Sequence, residues 1–551
     1  MRRGGPRWTK MAPRQLAWCV ALLVTSVVLR VGGLGPPSLW RDDAWQALVA
    51  RTDSWSDIVR IGQTAPGFSL LLWLWLKLTG LSSLAAQALP FVAGIAAAPF
   101  AYLLAARAGF GTAGAVSAGV GLAASPLHVV YSTRVKPFTL DSDVSILLLY
   151  LSVRVLEEPA RRRSWAALLF FAILATLFSA STVPVLLATV AAPAVASIWT
   201  RRDAWRPALT SLCALVVFMG VWWLVWLRHA VVAPLKEHWL GRMVPFDEGW
   251  GPAAQAVLTR TEALLDGLSP LPIWAGAMLL AFGILVLVRR TPWLALLLLG
   301  GPALSLAGGL LHLAPYGGGR SDIYLYPSLC LLLAGLPDEI GRRPGRPATA
   351  IGLVLALAPL AIAPRAIRYP PGDVRPIVEM IESETRDGDA VVVYPQLGYI
   401  YGLYTRFPVQ IADSDVSLTG FTVVVQRPGV TTLILAPHSD VTSSVYYRRG
   451  IVQNLSALRS LVNGSQRPQR VWFVERPDGR ALPALKSVLL GAGYVTRRSW
   501  EWPGVVASVW TNTNALNEVS LRGAKRQSNL AITQTRLVRL PRSPWSLAMT
   551  M

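Results

Sequence analysis

The stretch PGFSLLLWLWLKLTG (Pro66–Gly80) decides how the chain is threaded through a membrane. It is strongly apolar, but fifteen residues of helix are only about 22 Å long at 1.5 Å per residue. The hydrocarbon core of a bilayer is about 30 Å thick, so a transmembrane helix needs roughly 20 apolar residues. We therefore expect this stretch to form a short helix that lies along the membrane surface or against neighbouring helices.

Eleven other apolar runs are long enough to cross, and they begin near Leu16, Leu84, Ala113, Leu140, Trp165, Val183, Pro207, Leu271, Pro292, Ile323 and Ala348. Of the 551 residues, 53% are hydrophobic and 15% are charged. A soluble domain carries about 25% charged residues. The sequence therefore predicts a polytopic α-helical membrane protein with about 11 transmembrane helices. The three cysteines all lie in apolar runs, without the spacing of a metal site or a disulfide.

Arginine-rich loops predict the orientation, because such loops remain on the cytoplasmic side. If the basic N-terminus (1–15) is inside and Pro66–Gly80 does not cross, the following basic loops all fall inside: those with Arg107, Arg161–Arg163, Arg201–Arg206, Arg289–Arg290 and Arg342–Arg346. These loops account for much of the formal charge of +22, and we expect no nucleic-acid partner. Residues 35–83 then form one external loop with helices in the membrane plane. Everything after Pro364 is external as well.

The chain changes character near Tyr369. Residues 16–368 are expected to form the membrane domain, and residues 369–511 an extracytoplasmic α/β domain. Its predicted strands are Ala390–Tyr394, Thr432–Leu435, Val471–Val474 and Val505–Trp510, with helices near Val452–Leu461 and Ala484–Leu490. The tail, 512–551, is polar and basic without an apolar period, and we expect it to be disordered.

Two adjacent carboxylates, Asp42 and Asp43, lie in the external loop within LWRDDAWQAL (Leu39–Leu48). One interpretation is a helix cap, since acidic residues are favourable in the first turn of a helix. The other is catalysis at the boundary between water and membrane. If Trp45 marks the buried face, Asp42 leans toward the protein and Asp43 points more toward water or the backbone.

Cations on the outer side run against the prevailing charge pattern. Arg134, Lys136 and Asp141 occur where a predicted helix leaves the membrane, in YSTRVKPFTLD (Tyr131–Asp141). The two cations could reach toward lipid headgroups, pair with Asp141, or bind a phosphate. His128 is interpreted as structural.

A second group of outer residues lies in YGGGRSDIYLY (Tyr316–Tyr326). Gly317–Gly319 precede Arg320 at a predicted helix start, a pattern typical of a phosphate cradle or, alternatively, of a plain glycine-rich turn. Tyr324 and Tyr326 are interpreted as membrane-interface residues or as stacking platforms for a sugar. A loop with Lys236, Glu237, His238 and Arg242 shows no diagnostic spacing.

Acids, phosphate-binding cations and an apolar helix on one face match a ligand with a lipid tail, a phosphate and an exposed polar group. A polyprenyl-phosphate sugar is such a ligand. An enzyme that uses it needs a base for an acceptor hydroxyl and cations for the leaving phosphate.

The order of these elements resembles the integral-membrane GT-C glycosyltransferases, in the branch that includes bacterial protein mannosyltransferases and the aminoarabinose transferase. Asp42-Asp43-Ala44 resembles the family's Asp-Glu-Ala stretch, and QTAPGFSLLLWLWLKLTG (Gln63–Gly80) resembles its proline-led in-plane helix. The resemblance implies that Asp42, with Asp43 beside it, is catalytic. It also implies that Lys136 and Arg320, together with Arg134, Asp141, Gln63 and Tyr324, bind the donor.

Two positions depart from the family pattern: Ala65 replaces a histidine and Gln87 replaces an arginine. Donor or acceptor selectivity is therefore expected to differ. We expect transfer of a sugar from a polyprenyl-phosphate donor, among membrane lipids, to an acceptor hydroxyl on a glycan, lipid or protein. No cofactor is indicated, although a divalent metal remains possible. The rival interpretations are a lipid-linked-glycan transporter and a non-catalytic envelope scaffold.

Overall fold

The computed structural model describes residues 12–513 except 64, 201–203, 231, 241–242, 318, 368–373, 436–444, 477–481 and 503–504. The expectations for most of the basic N-terminus, for Arg242, for Gly318 and for the tail from residue 514 lie outside the described residues.

The helices are α1 (Pro13–Arg30), α2 (Arg41–Ala47), α3 (Trp55–Gly62), α4 (Pro66–Thr79), α5 (Ser83–Arg107), α6 (Thr112–Ala124), α7 (Pro126–Tyr131), α8 (Phe138–Glu157), α9 (Arg162–Phe178), α10 (Val183–Thr200), α11 (Trp205–Trp222), α12 (Arg228–Ala230), α13 (Ala233–Leu240), α14 (Trp250–Leu268), α15 (Ile273–Arg290), α16 (Pro292–Leu310), α17 (Tyr326–Leu333), α18 (Gly335–Gly341), α19 (Arg346–Leu357), α20 (Arg375–Glu384), α21 (Gly398–Tyr404), α22 (Val445–Asn463) and α23 (Leu482–Gly491). The strands are β1 (Ala390–Val393), β2 (Val409–Asp413), β3 (Phe421–Val425), β4 (Thr431–Ile434), β5 (Arg470–Glu475), β6 (Tyr494–Trp502) and β7 (Val505–Asn512).

Seven helical segments in the described part of the chain are long and apolar enough to cross a membrane: Pro13–Gly33, Ser83–Arg107, Ala180–Thr200, Trp205–Ala230, Ile273–Arg290, Pro292–Leu310 and Arg320–Gly341. The four other predicted runs form the shorter or more polar helices α6, α8, α9 and α19. Each predicted starting point lies inside one of these helices or just before it. The fold class, a polytopic helical protein with a C-terminal α/β domain, is confirmed.

Helix α4 is the short apolar helix predicted from Pro66–Gly80. It has 14 residues and ends at Gly80, whose φ of 80° is readily adopted by glycine. Phe68 and Leu72 on one side are buried, while Leu78 on the other is 76% exposed. An apolar helix with an exposed apolar face is suited to contact with lipid.

The chain divides into two compact units. The first contains the apolar helices, and its core includes close contacts between α5 and α6 through buried alanines such as Ala98, Ala101 and Ala118. Small side chains let the backbones of neighbouring helices approach closely. This close helix packing fixes the ends of the loops that connect the helices.

The second unit contains the described residues from Val374 onward, together with Pro37–Thr52 and Val232–Leu235. Its sheet has the order β4-β1-β5-β7-β6, with β1 parallel to β4 and β5 and with β7 antiparallel to both of its neighbours. Val392 lies opposite Leu433 on one side and Phe473 on the other. Strands β2 and β3 form a separate antiparallel pair.

Four strands of this unit, β1, β4, β5 and β7, were predicted from the sequence and are confirmed. Strands β2, β3 and β6 were missed. Strand β6 reads YVTRRSWEW, and most of its side chains are exposed at the edge of the sheet. An exposed edge strand carries charge and lacks the apolar run of a central strand, so its sequence resembles a loop.

Candidate active site

The predicted catalytic acids lie on α2, which belongs to the second unit. The Leu39 N–H donates to the Tyr404 hydroxyl at 2.7 Å, and the Val374 N–H donates to Ser38 Oγ at 3.1 Å. From the sequence we placed this segment in the membrane domain. Its partners come from more than 330 residues away along the chain, and no local pattern indicates them.

Arg51 holds the other end of this segment. Its Nη2 donates to the carbonyl oxygens of Thr405 at 2.8 Å and Phe407 at 2.7 Å. Burial lowers the pKa of Arg51, while the nearby Glu382 carboxylate opposes that change. Hydrogen bonds that involve a charged group contribute about 1.5–3 kcal/mol each. Arg51 therefore anchors the segment that contains Asp42 to the loop after α21.

Replacing Arg51 by alanine should lower kcat for sugar transfer roughly tenfold and leave the donor KM unchanged. Arg51→Lys should recover part of the rate, because an ammonium can reach one of the two carbonyls but lacks the planar fork. Arg449→Ala is the matched control, since that arginine pairs with Asp415 at an exposed site. If Arg449→Ala slows transfer as much as Arg51→Ala, the effect is not specific to this segment.

Asp43 is more deeply buried than Asp42, the reverse of what the sequence predicted. Asp43 is 1% exposed, whereas the side chain of Asp42 is 13% exposed and Arg41 Nε lies 3.2 Å from Asp42 Oδ1. Of the two directions expected for Asp43, water and the backbone, the first is wrong, because the side chain is covered. Helical spacing defines which residues share a face, but the surrounding chain decides which face is covered.

Neither acid is the N-cap residue of α2, so neither caps the helix from that position. The N-cap of α2 is Trp40, which makes no side-chain capping bond, and Asp42 and Asp43 lie within the first turn. Both carboxylates there interact favourably with the helix dipole, by about 0.3–1 kcal/mol at exposed sites. Asp42 is thus held as an ion pair at a partly accessible helix start.

A tyrosine lies within electrostatic range of Asp42. Burial raises the pKa of Tyr399 to about 12; hydrogen bonds with Ser417 and Thr419 and the charge of Arg41 oppose this rise, and the Asp42 carboxylate adds to it. Its hydroxyl lies 3.1 Å from Ser417 Oγ and donates to the Phe421 carbonyl oxygen at 3.2 Å. At neutral pH Tyr399 is therefore a neutral hydrogen-bonding group beside Arg41 and Asp42.

In the first unit, Arg320 lies near the start of α8, the helix that follows the loop with Arg134 and Lys136. Arg134 and Lys136 are 9% and 7% exposed on the loop before that helix. The guanidinium of Arg320, from far along the chain, lies 5.9 Å from the centre of the Phe138 ring, which begins α8. Ser142 Oγ also donates to the Ile323 carbonyl oxygen at 3.0 Å. The structure therefore brings Arg320 to the loop with Arg134 and Lys136.

Asp141 and Tyr324 lie deeper in the same unit. Asp141 is 2% exposed and is hydrogen-bonded to the side chain of Ser179. Its Oδ1 has no hydrogen-bond partner in the described part of the chain. Tyr324 and Tyr326 are both buried, and Tyr324 donates to Ser305 Oγ at 2.9 Å. The expectation of accessible rings at the interface, or as stacking platforms, is therefore wrong for both.

Gln63 lies directly before the proline-led helix in an unusual backbone conformation. Its φ is 41°, and its side chain is buried. A non-glycine residue with positive φ costs about 1–3 kcal/mol, and such strain is concentrated at functional sites. The role of Gln63 in donor binding remains a prediction.

The glycines before Arg320 have a packing role. Gly317 has a φ of 60°, and a Cβ there would approach the Arg260 carbonyl oxygen to 2.6 Å. Arg320 begins a helical segment, as predicted: a six-residue 3₁₀ helix, Arg320–Leu325, leads directly into α17. Gly317 therefore allows contact with α14.

Two buried polar groups that position the cation loop had no distinctive pattern in the sequence. Gln87 accepts a hydrogen bond from the Gly35 N–H at 2.8 Å and donates to the Thr133 carbonyl oxygen beside Arg134. Arg30 Nη2 donates to His128 Nδ1 at 3.0 Å, and both side chains are fully buried. The structural role expected for His128 agrees with this contact. The sequence singled out Gln87 in one way, because the family pattern has an arginine at this position.

Among the described residues, no group of three or more His, Cys, Asp or Glu side chains is arranged to hold a metal ion. The predicted loop with Lys236 and Glu237 is helical there, in α13. Lys236 is exposed and Glu237 is partly buried, whereas the side chain of His238 lies outside the described residues.

Residues 63–226 match the sequence profile of the family described as dolichyl-phosphate-mannose-protein mannosyltransferase. No curated protein matches the chain. The crystal structure of ArnT from Cupriavidus metallidurans in the apo state is similar over 90% of this chain and 97% of that chain, with a TM-score of 0.51 and 15% identity.

The family profile covers less than half of the chain, and the likeness to ArnT, at 15% identity, shows a shared fold. The structure of the same ArnT bound to undecaprenyl phosphate is similar over the same shares, with a TM-score of 0.51 and 14% identity. The Archaeoglobus fulgidus oligosaccharyltransferase is similar over 89% of this chain and 72% of that chain, with a TM-score of 0.44 and 13% identity. The match to the family profile includes Arg134 and Lys136 but does not reach Asp42 or Arg320.

Proposed function

We propose that the enzyme transfers a sugar from a polyprenyl-phosphate-linked donor to an acceptor hydroxyl on the outer face of the cytoplasmic membrane. The observation that carries this proposal is the approach of Arg320 to Phe138 at the start of α8, directly after the loop with Arg134 and Lys136. Cations beside an apolar helix suit a ligand with a phosphate and a long hydrocarbon chain. The undecaprenyl phosphate bound to ArnT, which shares the fold, supports this donor class.

In the proposed reaction, the Asp42 carboxylate accepts the proton of the acceptor hydroxyl. The acceptor oxygen then forms a bond to the anomeric carbon, and the bond between that carbon and the phosphate oxygen breaks. The electron pair leaves with the polyprenyl phosphate, whose growing negative charge is stabilised by Lys136, Arg134 and Arg320. The acceptor is a glycan, a lipid or a protein of the cell envelope.

The test is a transfer assay with the purified chain in detergent. Polyprenyl-phosphate mannose and polyprenyl-phosphate aminoarabinose are supplied in turn with an envelope fraction as acceptor, and released polyprenyl phosphate is measured. Acceptor-dependent release from one of the donors is expected. Lack of release, together with movement of the intact donor across vesicles, would instead support a transporter. Transporters tend to have repeated halves, and no such repeat is evident in this sequence.

Sidedness can be tested by cysteine labelling in a variant whose three native cysteines are replaced by alanine. A cysteine in place of Ser82, which is exposed after α4, should react with an impermeant thiol reagent added outside intact cells. A cysteine in place of Ala160, exposed between α8 and α9, should react only after the membrane is opened. The charge pattern of the loops is the physical basis of this expectation. The reverse labelling pattern would move Arg134 and Lys136 to the cytoplasmic side.

A further inference from the structure

A small cavity lies where α8 ends and α9 begins. It has a volume of about 60 Å³ and is lined by Leu151, Arg154, Arg161, Arg163, Ser164 and Ala167. A cavity needs roughly 10–15 Å³ by this measure to hold one water, so this one has room for a group larger than a single water. Half of the lining residues are arginines.

The charge in this cavity is only partly balanced. Arg161 Nη1 pairs with Glu158 Oε2 at 2.7 Å, and Arg107 pairs with Glu157. These two carboxylates line a neighbouring groove and not the cavity itself. Within the described ranges, which omit 201–203, Arg154 and Arg163 make no ion pair. Arg154 lies within electrostatic range of Glu158, so Arg163 is the guanidinium that remains most available for an anion.

The same cavity also has uncharged hydrogen-bond donors that can bind an anion. Helix α9 begins here with Arg161 as its N-cap residue and without a side-chain capping bond. The first N–H groups of a helix attract negative charge. Ser164, in the first turn, is 6% exposed, lines the cavity, and its Oγ has no hydrogen-bond partner in the described structure. A buried hydroxyl without a partner costs about 1–3 kcal/mol, a cost that a bound oxygen would remove.

An apolar stripe leads away from the cavity along α9. Ala167 and Phe170 follow Arg163 by four and seven residues, a spacing that keeps them on one face of a helix. Phe170 is 61% exposed. A cation cluster followed by exposed apolar surface fits a ligand with both a phosphate and acyl chains, and it fits a free anion less well.

We propose that this cavity binds the phosphodiester headgroup of an anionic phospholipid, with an acyl chain along Phe170. Arg154 and Arg163 contact the phosphate oxygens, and the Ser164 hydroxyl donates to one of them. Helix α8 has 20 residues, so this site is about 30 Å along the helix from Phe138, near which Arg320 lies. The lipid would brace the α8–α9 turn and is not a substrate.

The test is a titration of the delipidated full chain in detergent with phosphatidylglycerol or phosphatidylcholine, followed by native mass spectrometry. Phosphatidylglycerol should bind more tightly, and Arg154→Gln/Arg163→Gln should weaken that binding roughly tenfold or more. Arg162→Gln is the matched control, because Arg162 is exposed on the same turn and does not line the cavity. Ser164→Ala should cause a smaller loss.

Arg163→Gln alone provides a second variant if the double variant does not fold, because the side chain of Arg163 is exposed. It should weaken phosphatidylglycerol binding and leave the phosphatidylcholine signal unchanged. Equal binding of the two lipids would overturn the proposal, and so would an equal loss in Arg162→Gln. Displacement of phosphatidylglycerol by an equal concentration of inorganic phosphate would show a site for free anions and would overturn the lipid as its occupant.

Discussion

Asp42→Asn should lower kcat for sugar transfer by about 100- to 10,000-fold and leave donor binding intact, as expected for the loss of a general base. The amide keeps the shape of the carboxylate but accepts a proton poorly. The structure favours Asp42 over its neighbour on access, because its side chain is partly exposed and Asp43 is 1% exposed. An acceptor hydroxyl must reach the base, so the more accessible acid is the better candidate.

Asp43→Asn is the matched control for this prediction. It makes the same chemical change one residue away, at a buried position. Altering one partner of a buried polar interaction costs about 1–3 kcal/mol, so this variant should unfold at lower temperature and keep most of its kcat. Thermal unfolding and single-turnover transfer should be measured on both variants. If Asp43→Asn is inactive and Asp42→Asn is normal, the roles are reversed; if both are active, the pair only stabilises the start of α2.

The second large effect is expected at the donor-phosphate cations. Lys136→Ala and Arg320→Ala should each lower kcat/KM for the donor about 10- to 100-fold, because a hydrogen bond to a charged group contributes about 1.5–3 kcal/mol. The loss falls on kcat if the contact strengthens as the phosphate leaves, and on KM if it is already complete in the bound donor. Arg320→Lys should restore only part of the activity, because lysine lacks the planar fork.

Arg289→Ala is the control for these variants. Arg289 is an exposed cation in the last turn of α15, away from α8 and its preceding loop. Because Lys136 is buried, thermal unfolding of Lys136→Ala must be measured beside its kinetics. Wild-type kinetics in both alanine variants would remove these residues from donor binding. A loss of similar size in Arg289→Ala would point to a general effect of charge.

In the α/β domain, the strands that could be predicted from the sequence are the buried ones. Strands β1 and β5, whose side chains are nearly all covered, read as short apolar runs. Strand β6 did not, because an edge strand is exposed and carries arginines. The short β2–β3 pair was also missed, since a pairing of two strands depends on a partner that the local sequence does not specify.

The candidate site shows the same division. The cations Arg134 and Lys136 could be singled out from the sequence because charge at the end of an apolar run is unusual. Their positioning residue, Gln87, could not be identified from pattern alone. Its hydrogen bonds to Gly35 and Thr133 join segments that lie about 50 residues from it on either side.

The sequence by itself determined the membrane class, the eleven apolar helices and the presence of a C-terminal α/β domain. The length of an apolar run and the alternation of a buried strand are local properties, and burial acts on each segment directly. The tertiary structure decided that the segment with Asp42 packs with Tyr404, that Asp43 is covered, and that Arg320 meets Phe138. Each of these contacts depends on which distant segment of the chain covers which face. Such a contact stabilises the protein only when the whole unit has folded.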